Sequence, residues 1–450
     1  MVFNNLFFLF AFLPLAWVAY SLIRNEKAKN IFLLAASLLF YAFGSLTDLC
    51  VLLILGAWTF VSGLQLDTED EKGRQRTFWI SAGFLVLVLC FYKYIPYWFS
   101  ALKLRFPIGI SFYTFSAVSY LADVYRRKVP VQKNITAFGL YLAFFGKVNM
   151  GPISEYHQLE DQLVSRTVSL KKSGSGALMF VRGLVKKVVF ADQIALAYAL
   201  LANDSSVLGA WLLGLAYTFQ LYFDFSGYSD MAIGLGRLFG FDIPANFDHP
   251  YTALSVQDFW RRWHIALSSW FRDYVYIPLG GSRAGERAYV RNILIVWVLT
   301  GIWHGPNLTY IAWGLYYGAL LLFEHYYGKR VLEKVPRPAR IVLIFLVANT
   351  GWVFFANPSL SSAFSQLGCM IGLGSSGLAS QTAFYVLTTF GVLFAGCVLF
   401  SSSLFDRIER TTICAKYGNA VWLGIYIAAF LCCVILITAS TSHAFLYFAF

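Results

Sequence analysis

Two short segments contain the residues whose types and spacing are best suited to chemistry. The first runs from Trp260 to Asp273 and places His264 shortly after two adjacent arginines. The second is Trp303-His304-Gly305-Pro306. Imidazole is the side chain whose unperturbed pKa suits proton transfer near neutral pH. Both histidines are therefore candidates for acid–base catalysis.

The rest of the sequence is typical of a membrane protein. Of its 450 residues, 58% are hydrophobic and 13% are charged, whereas soluble domains are about a quarter charged. Charged side chains are costly in hydrocarbon, so a titratable cluster in such a chain indicates a functional site. Apolar runs long enough to span a bilayer are predicted at Leu6–Ile23, Trp79–Phe99, Ile341–Phe355, Phe384–Phe400 and Ala420–Thr438.

The first apolar run needs a separate interpretation, because a signal peptide can resemble a first span. It lacks a basic segment before it and a clear small-residue cleavage site, and further spans follow closely. We therefore predict that it is retained as the first transmembrane helix.

The formal net charge of +12 does not indicate a nucleic-acid partner, because the basic residues gather in short loops between apolar runs. This distribution is the positive-inside bias, which predicts that these loops face the cytoplasm and that both chain termini are external. The four loops are Arg24–Lys29, Arg126–Lys133, Lys329–Arg340 and Arg407–Lys416.

The chain is predicted to be a single integral-membrane domain, 1–450, because no loop is long enough to hold a soluble domain and no repeat of fixed period is visible. Residues 1–100 and 340–450 are mostly plain apolar helices and are predicted to be scaffold. Residues 105–325 mix apolar helices with glycine, proline and charge. Broken or polar backbone is tolerated at membrane depth only inside protein or beside a wet cavity, so this part is predicted to be the catalytic core.

The polar residues around His264 are spaced as on one amphipathic helix. Between Gln257 and Tyr274, polar side chains recur every three or four residues, and His264 shares this stripe with Arg261 and Arg272. The pattern predicts a single helix at the membrane interface or in the wall of an aqueous cavity.

His304 is predicted to lie at a break between two helices. Val290–Trp303 is an apolar helix that Gly305-Pro306-Asn307 must end, because proline disfavours helix at the residue before it. A second helix is predicted from about Tyr310 to Phe323. A side chain at such a break can project into a cavity.

Each candidate also has an ordinary structural explanation. His304 can simply bond a carbonyl that the helix break releases, and His264 can lie at the level of the lipid headgroups. Arg261 and Arg262 can extend to lipid phosphates. These explanations stay open on the local sequence alone.

Asp224 and Asp230 flank a short polar run in an otherwise apolar helix. Buried carboxylates need partners, and we predict that basic groups of the 257–274 helix supply them, either as part of the site or as structural ion pairs. No metal site is predicted, because the histidines do not form an HExxH pattern and the cysteines lack ligand spacing. The sequence also lacks a GxSxG serine elbow and a Walker A pattern.

Several long motifs in a fixed order resemble the membrane-bound O-acyltransferases, most closely the branch that includes the bacterial alginate O-acetylation membrane protein. The likeness extends over the whole chain. Lys147 departs from it, because relatives often have an uncharged residue or histidine there, and this leaves the local cavity lining open. The motifs are Pro107–Phe115, 151–153, Gln220–Gly234, Asp258–His264, Phe271–Gly281, Gly301–Gly305 and Phe445–Phe450.

The resemblance implies an all-α polytopic membrane protein, with a ring of about 10–12 transmembrane helices and re-entrant or interfacial helices around a central cavity. It implies His304 as the catalytic base and His264 as the second active-site histidine. Arg261 and Arg262 are predicted to bind donor phosphates, and Trp303 and Asn307 to help form the substrate site with Asp224 and Asp230.

The implied reaction passes acetyl groups from a cytoplasmic thioester, acetyl-CoA or another, to an extracytoplasmic polysaccharide, with no bound cofactor. The implied setting is the cytoplasmic membrane of a bacterium, with membrane lipids around the chain and an SGNH-type acetyltransferase partner. One alternative is D-alanyl transfer to teichoic acid from an acyl carrier protein. Another is a transporter, since broken helices and buried charge also mark substrate pathways.

The topology can be tested with single cysteines placed in the Arg126–Lys133 and Lys329–Arg340 loops. Because short basic loops stay in the cytoplasm, a membrane-impermeant thiol reagent added to intact cells should label neither loop and should label both after permeabilisation. Strong labelling of either loop in intact cells would reverse the predicted orientation.

Overall fold

The computed structural model describes residues 1–68, 70–99, 102, 104–283, 285–404, 407, 412–439 and 445–446. Within these residues the chain is helical, and they contain no strand. The predicted all-α class is therefore confirmed. Residues 408–411 of the basic loop 407–416 and the last four residues of the Phe445–Phe450 motif lie outside the described residues.

The first part of the chain forms eight helices. Helix α1 continues from a wider helical turn at Phe8–Phe12, so the helix predicted at Leu6–Ile23 is observed as Phe8–Leu22. The eight are α1 (Leu13–Leu22), α2 (Glu26–Ala42), α3 (Leu46–Thr68), α4 (Glu71–Trp98), α5 (Ile110–Tyr125), α6 (Ile135–Ala143), α7 (Tyr156–Val164) and α8 (Leu170–Val185).

The remaining helices include both very long and very short ones. They are α9 (Asp192–Leu201), α10 (Val207–Leu238), α11 (Val256–Arg262), α12 (Ile265–Phe271), α13 (Glu286–His304), α14 (Leu308–Phe323), α15 (Lys329–Leu332), α16 (Arg337–Ala356), α17 (Leu360–Met370), α18 (Gln381–Phe400) and α19 (Thr412–Ala439). Wider helical turns precede α9 at Lys186–Ala191 and follow α12 at Arg272–Tyr276.

Five helical segments among the described residues are long and apolar enough to cross a membrane. They are Leu46–Thr68, Glu71–Trp98, Arg337–Ala356, Gln381–Phe400 and Ala420–Ala439. This agrees with a polytopic membrane protein. The total of about 10–12 crossings stays a prediction, because it depends on whether shorter and broken helices such as α5 and α13 also cross the bilayer.

The chain divides into two compact units. Unit 1 contains Met1–Gly183, Tyr228–Ala245 and Ile437–Ala444, and unit 2 contains Leu184–Gly227, Asn246–Leu436 and Phe445–Phe450. The division into scaffold and core made from the sequence cuts the chain differently, since residues 105–325 contribute to both units. That division stays a prediction.

In unit 1, the buried guanidinium of Arg166 joins segments that are far apart in the chain. Arg166 donates hydrogen bonds to the Tyr20 hydroxyl at 2.8 Å, to the Phe239 carbonyl oxygen at 3.0 Å and to Asn30 Oδ1 at 2.6 Å. A buried guanidinium needs several acceptors to offset its lost hydration. Arg166 thereby fixes α1 and α2 to the chain around α7 and to the end of α10.

In unit 2, α13 and α14 pack backbone against backbone because glycines lie at their contact. A Cβ atom on Gly314 would be 2.3 Å from the Trp297 carbonyl oxygen, and one on Gly301 would be 2.6 Å from the Tyr310 carbonyl oxygen. Small residues allow this close approach between membrane helices. The contact sets the direction in which α13 presents its last residue, His304.

A buried ion pair in unit 2 overturns one prediction. Asp224 on α10 was expected to pair with basic groups of the 257–274 segment. Its partner is Lys187, whose Nζ lies 2.7 Å from Asp224 Oδ1 and 2.8 Å from Asp192 Oδ1. The other carboxylate oxygen of Asp224 accepts a hydrogen bond from the Leu446 backbone N–H at 2.8 Å. Sequence spacing could not show this pair, because its members are distant in the chain.

The α13–α14 contact predicts that Gly314→Ala lowers the thermal stability of the purified protein, because the added methyl group meets a backbone oxygen that cannot move aside. Overpacking of this kind costs about 1–3 kcal/mol. Gly318→Ala is the matched control on the same helix, since its Cβ would be 3.5 Å from the Trp297 Cβ. Equal melting temperatures for the two variants would contradict this account of the contact.

The ion pair predicts that Asp224→Ala lowers the amount of folded protein in the membrane as well as its activity. Removing one partner of a buried pair costs about 3–5 kcal/mol, and here the cost should be smaller, because Asp192 still pairs with Lys187. The triple variant Asp224→Ala/Asp192→Asn/Lys187→Met removes all three charges and should recover part of the folded protein. Normal folding of Asp224→Ala with abolished transfer would instead place Asp224 in the catalytic group.

Candidate active site

The segment from Gln257 to Tyr274 is not the single helix that its polar spacing predicted. Helix α11 ends at Arg262, Trp263 is extended, and α12 begins at Ile265. His264 lies at the break with φ 45° and ψ 55°, in the left-handed region. Non-glycine residues rarely adopt this backbone conformation, because it costs about 1–3 kcal/mol of strain. Such residues cluster at functional sites.

The break is held by a loop that precedes α11 in the chain. The Asp248 N–H donates to the Arg262 carbonyl oxygen at 2.9 Å, and the Ile265 N–H donates to the Asn246 carbonyl oxygen at 2.9 Å. The Ala266 N–H donates to Asn246 Oδ1 at 3.2 Å. These contacts satisfy backbone groups that an uninterrupted helix would have paired internally. The segment therefore forms two helices instead of the single helix that the amphipathic pattern predicted.

His264 is almost fully enclosed, with 2% of its surface exposed. Its Nδ1 atom lies 3.1 Å from Asn246 Oδ1. Its ring centroid is 4.6 Å from that of Phe225, edge to face, and 6.5 Å from that of Trp303. Among the described residues, its Nε2 atom has no hydrogen-bond partner.

His304 lies where the sequence predicted, at a helix break. It is the last residue of α13, and Gly305 follows with φ 157°, a conformation open to glycine. His304 is buried, and its ring centroid is 4.7 Å from that of Phe355 and 5.1 Å from that of Trp313. Both neighbouring rings meet it edge to face.

The two histidines line one cavity of about 260 Å³ in unit 2. Its polar lining also includes Gln257, Arg272 and Thr300. Gln257 and Arg272 are exposed, whereas His264 and His304 are buried, so the cavity has a polar opening and an interior that contains the titratable rings. Much of the remaining wall is aromatic and includes Trp260, Trp263, Trp297, Trp313, Trp352 and Phe355.

The other predicted site residues are not among those that line this cavity. Arg261 is exposed. Arg262 pairs with Asp258 at 2.8 Å and lies 3.7 Å from Asp248, so it fastens the end of α11. Trp303 packs beside His304, and Asn307 precedes the first residue of α14. Their predicted roles in substrate binding stay predictions.

The acidic candidates and Lys147 also lie outside the cavity lining. Asp224 is held by Lys187 in unit 2, and Asp230 is a buried residue of unit 1. Lys147 is buried in unit 1, with its Nζ 4.4 Å from the Tyr141 ring centroid. It borders a separate cavity of about 10 Å³, which is at the lower limit for one water molecule.

Two residues that contact the candidate site were not predicted as site residues from the sequence. Arg272, at the opening of the cavity, was placed in the polar stripe but not among the site residues. It forms a two-point contact with Asp273, at 2.7 and 2.8 Å. Asn246 gave no local signal, because it lies in a loop 18 residues before His264.

One cluster in unit 1 has the composition of a cation site. Ligand atoms of Asp123, Glu155 and His157 lie within 4.8 Å of one another. The cation beside them is the ammonium of Lys128, which lies 3.5 Å from Asp123 and 3.3 Å from Glu155. The cluster is therefore an ion-pair network.

Comparison with known proteins adds to this geometry. "Probable alginate O-acetylase AlgI" of Pseudomonas syringae pv. tomato is 38% identical over 393 residues, covering 83% of this chain and 76% of the relative. The peptidoglycan O-acetyltransferase of Helicobacter pylori is 31% identical across 100% of this chain and 98% of its own length. The teichoic acid D-alanyltransferase of Bacillus subtilis is 28% identical over 49% of this chain and 60% of its own.

The sequence profile of the membrane-bound O-acyltransferases matches residues 30–365. This range contains both histidines, the break between α11 and α12, and the α13–α14 pair. An acyltransferase needs a base and an enclosed reaction site, and the lining of the cavity contains two buried histidines. The chain belongs to the membrane-bound O-acyltransferase family.

Proposed function

We propose that this acyltransferase transfers acetyl groups from a cytoplasmic thioester, such as acetyl-CoA, for O-acetylation of an extracytoplasmic polysaccharide, with His304 as the general base. The observation that carries the proposal is the position of His304 and His264 on one small, largely aromatic cavity. A volume of about 260 Å³ is below the roughly 300–1,000 Å³ of pockets for drug-sized ligands. It favours a small acyl group over a long fatty chain.

The reaction requires the hydroxyl oxygen of the acceptor to attack the thioester carbonyl carbon. His304 takes the hydroxyl proton as the new C–O bond forms, and the C–S bond then breaks to release the thiol, which receives that proton. A positioned general base contributes about 10²–10⁴-fold. His264, the second histidine, steadies the oxyanion or holds the thioester donor.

The enclosure of the cavity serves this chemistry in two ways. Its aromatic wall limits the entry of water, which would otherwise hydrolyse the thioester. The exposed Arg272 at the opening suits the phosphates of a coenzyme A donor, since guanidinium groups bind phosphate in a forked geometry. Arg261 and Arg262, the arginines first proposed for this role, lie outside the lining.

The relatives favour acetyl transfer over the alternatives. The alginate and peptidoglycan O-acetyltransferases align over more of this chain, and at higher identity, than the D-alanyltransferase does. A polysaccharide acceptor, an SGNH-type partner that completes delivery and a bacterial cytoplasmic membrane therefore belong to the proposal. D-alanyl transfer from an acyl carrier protein is the second candidate, and the aligned half of the chain supports it.

The proposal predicts that His304→Ala gives a folded membrane protein with acetyl transfer close to zero, because the change removes the base and spares the scaffold. His264→Ala should reduce transfer less completely, since water or a backbone N–H can replace part of its role. The measurement is acetyl ester on the surface glycan of cells carrying each variant, normalised to the amount of the protein in the membrane.

His157→Ala is the matched control, because His157 is an exposed histidine of unit 1 that does not line the cavity. His325 is less suitable, since its ring centroid lies 4.4 Å from that of Tyr289, which lines the cavity. Near-normal transfer by His304→Ala would overturn the assignment of the base. D-alanyl ester without acetyl ester would select the second candidate.

A further inference from the structure

The contact between His264 and Asn246 determines which ring nitrogen of His264 carries a proton. Asn246 Oδ1 lies 3.1 Å from His264 Nδ1 and also accepts a hydrogen bond from the Ala266 backbone N–H at 3.2 Å. A backbone N–H can only donate, so the asparagine atom at this position must be the oxygen. That oxygen has no proton to give, so His264 Nδ1 must be the donor.

The proton on Nδ1 leaves Nε2 as the acceptor atom of the neutral ring. The ring is almost completely buried beside Phe225 and Trp303, and a charged imidazolium is disfavoured in such surroundings. Nε2 has no hydrogen-bond partner among the described residues. A buried polar atom of this kind needs a partner, and a ligand in the cavity that His264 lines can supply one.

We propose that Asn246 is a positioning residue that fixes His264 as the Nδ1–H tautomer, so that Nε2 accepts a hydrogen bond from bound substrate. This rests on the proposed function, and it removes one of the two roles given to His264 there. A neutral ring without a proton on Nε2 cannot donate to the oxyanion. The group that donates to Nε2 is either a second hydroxyl of the sugar acceptor, other than the one that loses its proton to His304, or an amide N–H of the thioester. The kinetic experiment below separates the two.

Asn246 also caps the start of α12, and the test must separate this structural role from its effect on His264. Its side-chain and backbone oxygens accept hydrogen bonds from the first two N–H groups of α12. Ser255 caps a helix without contacting His264: its side chain accepts a hydrogen bond from the Asp258 N–H at the start of α11. Ser255→Ala therefore serves as the control for the loss of a helix cap.

The first measurement is independent of activity. Proton–nitrogen spectra of protein labelled with ¹⁵N in its six histidines, with His264→Gln to assign the signals, report which ring nitrogen carries the proton. We expect His264 to be protonated at Nδ1 and bare at Nε2. In Asn246→Ala the signal should move towards a mixture of tautomers. A proton on Nε2 in the unchanged protein would overturn the proposal, whatever the activity.

The second measurement is acetyl transfer by purified protein. Asn246→Ala should lower kcat/KM by about tenfold, the equivalent of roughly one lost hydrogen bond, whereas Ser255→Ala should leave it unchanged. A higher KM for the glycan would indicate that a glycan hydroxyl donates the hydrogen bond to Nε2. A higher KM for acetyl-CoA would indicate that the thioester donates it. Unchanged values for both substrates would overturn the proposal.

The third measurement is the pH titration of the His264 ring signals in Asn246→Asp. The carboxylate still accepts from Nδ1–H and from Ala266, so the fold and part of the activity should be retained. Its charge favours the imidazolium, which has no lone pair on Nε2, so the His264 signals should titrate at a pH about 1–3 units higher than in the unchanged protein. A profile that matches the unchanged protein would contradict the proposal.

Following the His264 ring alone separates its titration from that of the other titratable and charged groups near the cavity. They are His304 and Tyr289 from α13, Arg272 and Tyr276 from the turn after α12, and Asp224 on α10, which is held by Lys187.

The measurements also distinguish failure of the proposed function from failure of the role proposed for Asn246. If the unchanged protein transfers no acetyl but shows the Nδ1–H tautomer, the proposed function fails and the role of Asn246 stands.

Discussion

A helix that breaks inside a membrane protein must find partners for the backbone groups that it releases, because hydrocarbon offers none. Both histidines of the cavity depend on this constraint. At His264 the partners come from the Asn246–Asp248 loop, which bonds both sides of the break. At His304 the break falls at Gly305, and the close α13–α14 contact fixes the helix that ends there. The geometry of the candidate site depends on contacts within the protein at both interruptions.

The two breaks differ in how well the sequence could predict them. The break after His304 is local, since glycine and proline follow the histidine directly, and the observed helices agree closely with the predicted ones. The break at His264 contains neither glycine nor proline, and its polar spacing fits a continuous helix. It is stabilised by Asn246, which is remote in the chain and has no recognisable pattern. Short-range signals predict short-range structure, and long-range hydrogen bonds can override them.

The same distinction explains the charged residues. The adjacency of Arg261 and Arg262 suggested a shared role, yet successive residues of a helix point in different directions. One is exposed and the other is held by Asp258. The pairing of Asp224 with Lys187 could not be predicted from the sequence, because no pattern in either segment indicates that the two are in contact. The order of motifs nevertheless indicated the correct family, since it depends on residue types and not on their contacts.

The two histidines lie at opposite ends of their helices. His304 is at the carboxyl end of α13, a helix of 19 residues, where the aligned peptide dipoles present partial negative charge. His264 precedes the amino end of α12, where the dipoles present partial positive charge. A positive charge is thus favoured at His304 and disfavoured at His264, by about 0.3–1 kcal/mol at exposed helix ends and up to about 2 where partly buried. The backbone dipoles therefore distinguish the ring proposed as the base from the ring proposed to stay neutral.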